Sequence, residues 1–285
     1  MRVLLSVFLA FASMVSVVGQ NLPAIEDSIA FYHNIVRNTS NDEIRVQASE
    51  KMKGFFMDAF TLQETFEYSF EKLNFCKITS SDGRVRLINW NVSLLDGTHY
   101  YACYVLLFDA KTKTFSWTEL NDTSRQTEKV ETKFLTADKW YGTLYYEIIP
   151  LGKKKKKIDS YTLLGWDGND KLTTRKVIDV LKINNGKLKF GEEIFKSDRK
   201  HAKRIIYEYS DEVSASVKFY PRKNHIVLDH LAPRNPIMQG VFADYGPDGT
   251  YDRWVFVEGK WIFEDNIDVT IYTEEDKRPF NLPKD

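Results

Sequence analysis

The sequence predicts a mainly β protein: a large antiparallel meander or barrel-like β domain over residues 73–285, preceded by a short N-terminal helical segment over 20–72. Three observations carry this expectation. The apolar period changes from three and four to two near Leu73. Beyond that point Asp82-Gly83, Asp96-Gly97, Asp167-Gly168, Asn185-Gly186 and Asp248-Gly249 fall between apolar runs, and each pair supplies the positive φ that hairpin turns demand. Aromatic residues make up 14% of the 285, with 19 Phe, 15 Tyr and 6 Trp, an enrichment that suits pleated, half-buried surfaces.

Residues 1–19 read as a signal peptide. Arg2 precedes an apolar run from Val3 to Val18, and Val17 and Gly19 are the small residues a signal peptidase needs, which places cleavage before Gln20. Polar sequence comes next without a stop-transfer flank, so no transmembrane anchor is expected after removal. No Cys follows the run, so a lipoprotein is not expected either. The expected address is periplasmic or extracellular.

The next segment has helical spacing. Ile25, Ile29, Tyr32 and Val36 line one face of a first helix, which Asn38-Thr39-Ser40-Asn41 ends. Ser40 with Glu43 forms a capping-box pattern and opens a second helix bearing Ile44, Ala48, Met52, Phe55 and Ala59. Thr61 with Glu64 repeats that pattern and predicts a short third helix ending before Leu73. Two helices and a turn are too small to stand alone, so their apolar faces must pack on the β domain.

Strands are expected over 74–80, 84–93, 98–108, 141–149, 160–166, 176–183, 187–190, 203–209, 213–220, 224–229, 253–257 and 260–263. No long helix alternates with them, which argues against a parallel α/β sheet, and no clean 40–50-residue repeat supports a propeller. Lys153 to Lys157 reads as a solvated hairpin tip. Cys76 and Cys103 fall on the outer strands of the first meander with strand 84–93 between them. Two strand spacings are about 10 Å, beyond the roughly 4.4–6.8 Å that a disulfide allows, so two unpaired, buried thiols are expected.

Formal net charge is zero, but residues 151–232 carry 19 Lys and Arg against 11 Asp and Glu, while 233–285 carry 6 against 11. Such asymmetry could orient the protein on an anionic envelope surface; a solvated surface is the plainer explanation. A near-zero charge lacks the footprint of nucleic-acid binding. There is no G-x-S-x-G, H-E-x-x-H, P-loop, C-x-x-C or G-x-G-x-x-G. His225 and Asp229 share a strand face, with His230 on the other, and one His with one Asp makes no zinc site.

Three sets of residues are candidates for chemistry. Asp244, Asp248 and Asp252, spaced by four in a Gly/Pro-bent segment, offer oxygen ligands suited to calcium, although turn formation explains the same residues. Trp166 beside Asn169, together with Trp254, would make a sugar-binding surface if exposed; core packing of the tryptophans is the competing expectation. Asp167, Asp229 and Asp248 are the carboxylates a glycosidase could use, provided two of them share a cavity. No cofactor other than calcium is expected. Asn38, Asn91 and Asn121 begin glycosylation triplets, which matter only in a host that modifies them.

Taken together, Trp140-Tyr-Gly142 with Tyr145-Tyr146, the stretch Tyr161 to Asn169, Arg175 to Leu181, Phe190-Gly191, Ile205 to Ser210, Ile226 to Pro233 and Tyr245 to Asp252 resemble a family of uncharacterised secreted proteins from Bacteroidetes-type bacteria. The resemblance covers residues 70–270. It implies bacterial origin and an envelope or extracellular address, and it implies no activity. With an export signal and without a catalytic motif, the expectation is a non-enzymatic protein that binds envelope polysaccharide or another envelope protein. A polymer hydrolase and a purely structural envelope protein are the alternatives.

Overall fold

The computed structural model describes residues 21–152, 158–198 and 201–272; the leader expected over 1–19 and the five-lysine run over 153–157 lie outside the described residues. Two helices come first, α1 (Leu22–Asn38) and α2 (Asp42–Ala59). Asn21 caps α1, its side chain accepting from Ala24 N–H, and Pro23 sits in the first turn, where no N–H partner is lost. α2 is capped by Asn41, one residue later than the expected Ser40, with its side chain accepting from Ile44 N–H at 3.1 Å. The third helix reduces to a 3-10 turn, Gln63–Phe66, and Thr61 donates back to Asp58 O instead of capping it.

The remaining described residues build three open sheets. Sheet one is the meander β1 (Cys76–Thr79), β2 (Val85–Ser93), β3 (His99–Asp109) and β4 (Thr114–Leu120). Sheet two takes β5 (Leu135–Thr136), β6 (Leu144–Pro150), β7 (Ser160–Asp167), β8 (Thr173–Asn184), β9 (Lys187–Phe190) and β11 (Ile205–Ser210) in the order β5-β9-β8-β7-β6. β11 pairs with the first half of β8, beside β9 on the same edge. Sheet three has the order β10-β15-β14-β13-β12, from β10 (Phe195–Lys196), β12 (Val217–Tyr220), β13 (His225–Pro233), β14 (Tyr245–Val257) and β15 (Lys260–Glu264). Every strand pair is antiparallel except β10 with β15. Among the described residues no helix is long and apolar enough to cross a membrane.

Barrel-like closure does not occur: the described strands form no closed barrel, and the sheets stack instead. The reason lies in two-sided burial. On β2, Ile88, Trp90 and Val92 face the helices, whereas Val85 and Leu87 face sheet two. On β8, Val177 and Leu181 face sheet one while Ile178 and Val180 face sheet three. A strand apolar on both faces needs a packed layer on each side. The order is therefore helices, sheet one, sheet two, sheet three, with three cores between them.

Polar contacts cross each of these cores. Trp90 Nε1 donates to Ser49 Oγ of α2 at 2.9 Å. Asn89 Oδ1 accepts from Tyr145 N–H at 2.7 Å, tying β2 to β6. Trp261 Nε1 donates to Thr162 Oγ1 at 2.9 Å, tying β15 to β7. Each satisfies a donor or acceptor that burial would otherwise strand. Cys76 and Cys103 both pair with Asn89, from opposite sides, and both thiols are free as expected; Cys103 is buried, but Cys76, on the edge strand β1, is only partly so.

Candidate functional site

A cavity of about 650 Å³ lies where the β11 edge of sheet two meets sheet three. Its central feature comes from an irregularity in the β13–β14 ladder. Asp229 pairs with Tyr251 and Leu231 with Pro247, so the register shifts around His230. Asp248-Gly249-Thr250 takes up the extra length, with Gly249 at φ 91° and Asp248 accepting from Thr250 N–H and Oγ1. This Asp-Gly pair therefore makes a bulge within β14, not the expected hairpin turn, and bulges commonly re-aim a side chain. His230 is turned toward Asp252, whose Oδ2 lies 2.9 Å from His230 Nδ1. Asp252 is buried and its Oδ1 accepts from Asn266 N–H, so both carboxylate oxygens are committed. The pair directs the Nδ1 proton to Asp252 and leaves Nε2 as the open ring nitrogen at the cavity.

Aromatic walls flank this pair. Trp254, two residues beyond Asp252 on the same face of β14, is 1% exposed and donates its Nε1 to Tyr207 Oη at 2.9 Å. Phe242 and Tyr245, 5.2 Å apart by ring centroids, line the mouth. Opposite them, Arg175 Nε donates to Glu208 Oε2 at 2.8 Å, and Thr173 Oγ1 donates to the other Glu208 oxygen.

Arg175 also leads to a second, smaller cavity of about 170 Å³. Ser124, Tyr141 and Arg175 line both. The floor of the smaller one is Asp167 at the end of β7, which accepts from the hydroxyls of Tyr101 at 2.8 Å and Tyr141, and from Asn169 N–H. Burial pushes both phenols well above the usual tyrosine value, with the Asp167 charge adding to the shift, so they stay neutral donors. His99 stands over this turn, edge-on to Trp166 at 5.4 Å, and burial lowers its pKa. A Cβ on Gly168 would lie 2.2 Å from His99 Nε2, so the ring sits where any other residue would project.

The expected ligand-binding residues come to this region. Asn169 lines the smaller cavity and Trp166 is half-buried against His99, whereas Trp254, although it borders the larger cavity, is buried in the core between sheets two and three, as the competing expectation had it. The expected catalytic carboxylates do not converge. Asp167 lines the smaller cavity, Asp229 accepts from Ser216 N–H at 2.7 Å, and Asp248 is exposed and held by Thr250; neither of the latter two lines either cavity. Nor do Asp244, Asp248 and Asp252 form a calcium loop. Asp244 ends a 3-10 turn and accepts from Asn235 N–H, Asp248 sits in the bulge and accepts from Thr250, and Asp252 serves His230. Among the described residues no group of three or more His, Cys, Asp or Glu is placed to hold a metal ion.

Sequence reasoning missed the His230–Asp252 pair and the Arg175–Glu208 pair. The first joins residues on different strands through a shifted ladder, and the second needs the pairing of β8 with β11; no local spacing signals either. No family model, curated protein or solved structure matches the chain.

Proposed function

We propose that the protein is an exported bacterial protein that binds a neutral, hydroxyl-rich ligand of saccharide type in the cleft between sheets two and three. One observation carries this: the cleft sets aromatic walls, Tyr207, Phe242 and Tyr245, beside polar groups already fixed by partners, His230 and Glu208 among them. Saccharides match that combination, because their C–H faces pack on rings while their hydroxyls need donors and acceptors of set direction. Arg175 is ion-paired with Glu208, and Asp252 is hydrogen-bonded by His230 Nδ1 and Asn266 N–H, so the floor offers directed hydrogen bonds in place of a bare charge.

Export is supported by the apolar stretch over 3–18 with its small residues at 17 and 19, and an envelope address by the resemblance to secreted Bacteroidetes-type proteins. Envelope polysaccharide is the partner this address favours. The placement of Asp229 and Asp248 outside the cavities favours binding over hydrolysis by the expected acids, and a cleft of about 650 Å³ favours binding over a purely structural role.

Isothermal titration of the mature chain against neutral mono- and oligosaccharides tests the proposal. Binding is expected, with loss of at least tenfold in affinity in His230→Ala and Phe242→Ala. Absence of heat with every saccharide overturns it. Mass spectrometry of the secreted product should give Gln20 as the first residue.

A further inference from the structure

We infer that the ligand is a linear oligosaccharide of several units that runs through both cavities, with its middle held at Ser124, Tyr141 and Arg175. The inference rests on the saccharide-binding function proposed above and specifies its substrate class. Self-standing ligand sites usually enclose roughly 300–1,000 Å³. The larger cavity falls in that range at about 650 Å³, and the smaller one, at about 170 Å³, falls below it. A chamber of that size adjoining a larger one through three shared residues suits one more unit of the same chain.

The two ends of the path repeat one chemistry. At the larger end, Phe242 is 44% exposed beside Tyr245, and the same hairpin exposes Ile237, Met238 and Val241 beyond it. At the smaller end, the rings of His99 and Tyr101, stacked with centroids 6.2 Å apart, line the cavity beside the Arg125 guanidinium. His99 and Trp166 stand edge to face. Between these flat surfaces the waist is polar: the Tyr141 hydroxyl, the Arg175 guanidinium and Ser124. An aromatic platform, a polar waist and a second platform form a repeat that a chain of linked sugars can satisfy and a single sugar cannot. The hairpin over 234–244 extends the apolar surface outward, and its base is fixed by Arg234 N–H to Asp244 O and by Arg234 to Glu212.

The test is titration calorimetry of the mature protein with gluco-, manno- and xylo-oligosaccharides of one to six units, repeated on Arg125→Ala, Phe242→Ala and Ser124→Trp. Circular dichroism verifies that each variant is folded. For the series that binds, affinity should rise at least tenfold from the shortest bound member to the hexamer. Arg125→Ala and Ser124→Trp should cost the hexamer several-fold more than they cost the dimer. If monomer and hexamer bind equally well, or if both variants bind the hexamer as the parent does, the extended path is overturned while the cleft function stands. If no member of any series binds, the saccharide-binding function itself falls, and the extended path with it.

Discussion

The side chain of Asn89 is held to the backbone of Tyr145 by two hydrogen bonds, Tyr145 N–H to Oδ1 at 2.7 Å and Nδ2 to Tyr145 O at 3.1 Å. An amide side chain here does what a neighbouring strand would do, and it fixes β6 of sheet two against β2 of sheet one. The irregularity between Tyr145 and Glu147 in the β6–β7 ladder sits at the same point. Asn89→Leu should leave two buried backbone groups unpaired, each worth about 1–3 kcal/mol. Urea unfolding should show that loss. Asn89→Asp should not restore it, since a carboxylate cannot donate to Tyr145 O.

Arg204 and Asp179 form a second buried device, with Nε and Oδ2 3.0 Å apart and neither side chain more than 1% exposed. Arg204 also donates to the carbonyls of Val130 and Lys133, which pins the 130–133 segment beside the cleft. Arg204→Met alone should cost about 3–5 kcal/mol by leaving Asp179 buried without its partner. The double variant with Asp179→Leu should recover a large part of it in the same unfolding assay.

Alkaline stability depends on the tyrosines. Tyr101 and Tyr141 have folded-state pKa values raised by burial and by Asp167, and Tyr145 is raised by burial and by Asp179. A raised value keeps its stabilising contribution below the unfolded value of about 10 and loses it as pH rises beyond that. Absorbance at 295 nm should therefore show these phenols ionising only in step with unfolding above pH about 10. Their ionisation while the near-ultraviolet dichroism stays native would contradict the burial.

Acid has a separate sensor. Burial, with the charges of Arg37 and Lys77 adding to it, lowers His33 to about 4, and its ring packs edge-on to Phe75 at 4.9 Å. A depressed histidine contributes stability above its unfolded value of about 6.5 and loses it as pH falls toward 4. Melting temperature should drop across that window in the parent and drop less in His33→Gln.

Gly168 and His99 are coupled by space. Gly168→Ala should displace the imidazole, because the new methyl would sit 2.2 Å from Nε2. His99→Ala in the same chain should relieve the clash. A double-mutant cycle on melting temperature should give a coupling that simple addition does not.

The helices and Gly-turned strands were legible because their signals are local. Ile25, Ile29 and Val36 are buried as their spacing predicts, but on α2 Phe56 enters the core, Phe55 is only partly buried, and Ile44 is exposed. β4 was missed because its turn is closed by Lys113 at φ 55°, where no glycine marks it. The first half of β14 was missed because its Asp-Gly pair marks a bulge. Stacking in place of closure was written in Tyr100 to Phe108, where residues of both parities are apolar, a mark of two covered faces. Of the candidate site, the residue types Trp166, Asn169 and Trp254 could be read, whereas His230 and Asp252 are 22 residues apart and meet only through the shifted β13–β14 register.

The parallel pairing of β10 with β15 sets the timing of assembly. Phe195 pairs with Trp261, so a segment laid down mid-chain waits for one of the last strands before its edge is covered. Contacts of such long reach form slowly and leave sticky surface open meanwhile. A ribosome releasing this polypeptide would hold Trp254 without its Phe263 neighbour until β15 had emerged. Chains cut short of that point should clump even though nearly every other layer is encoded in them.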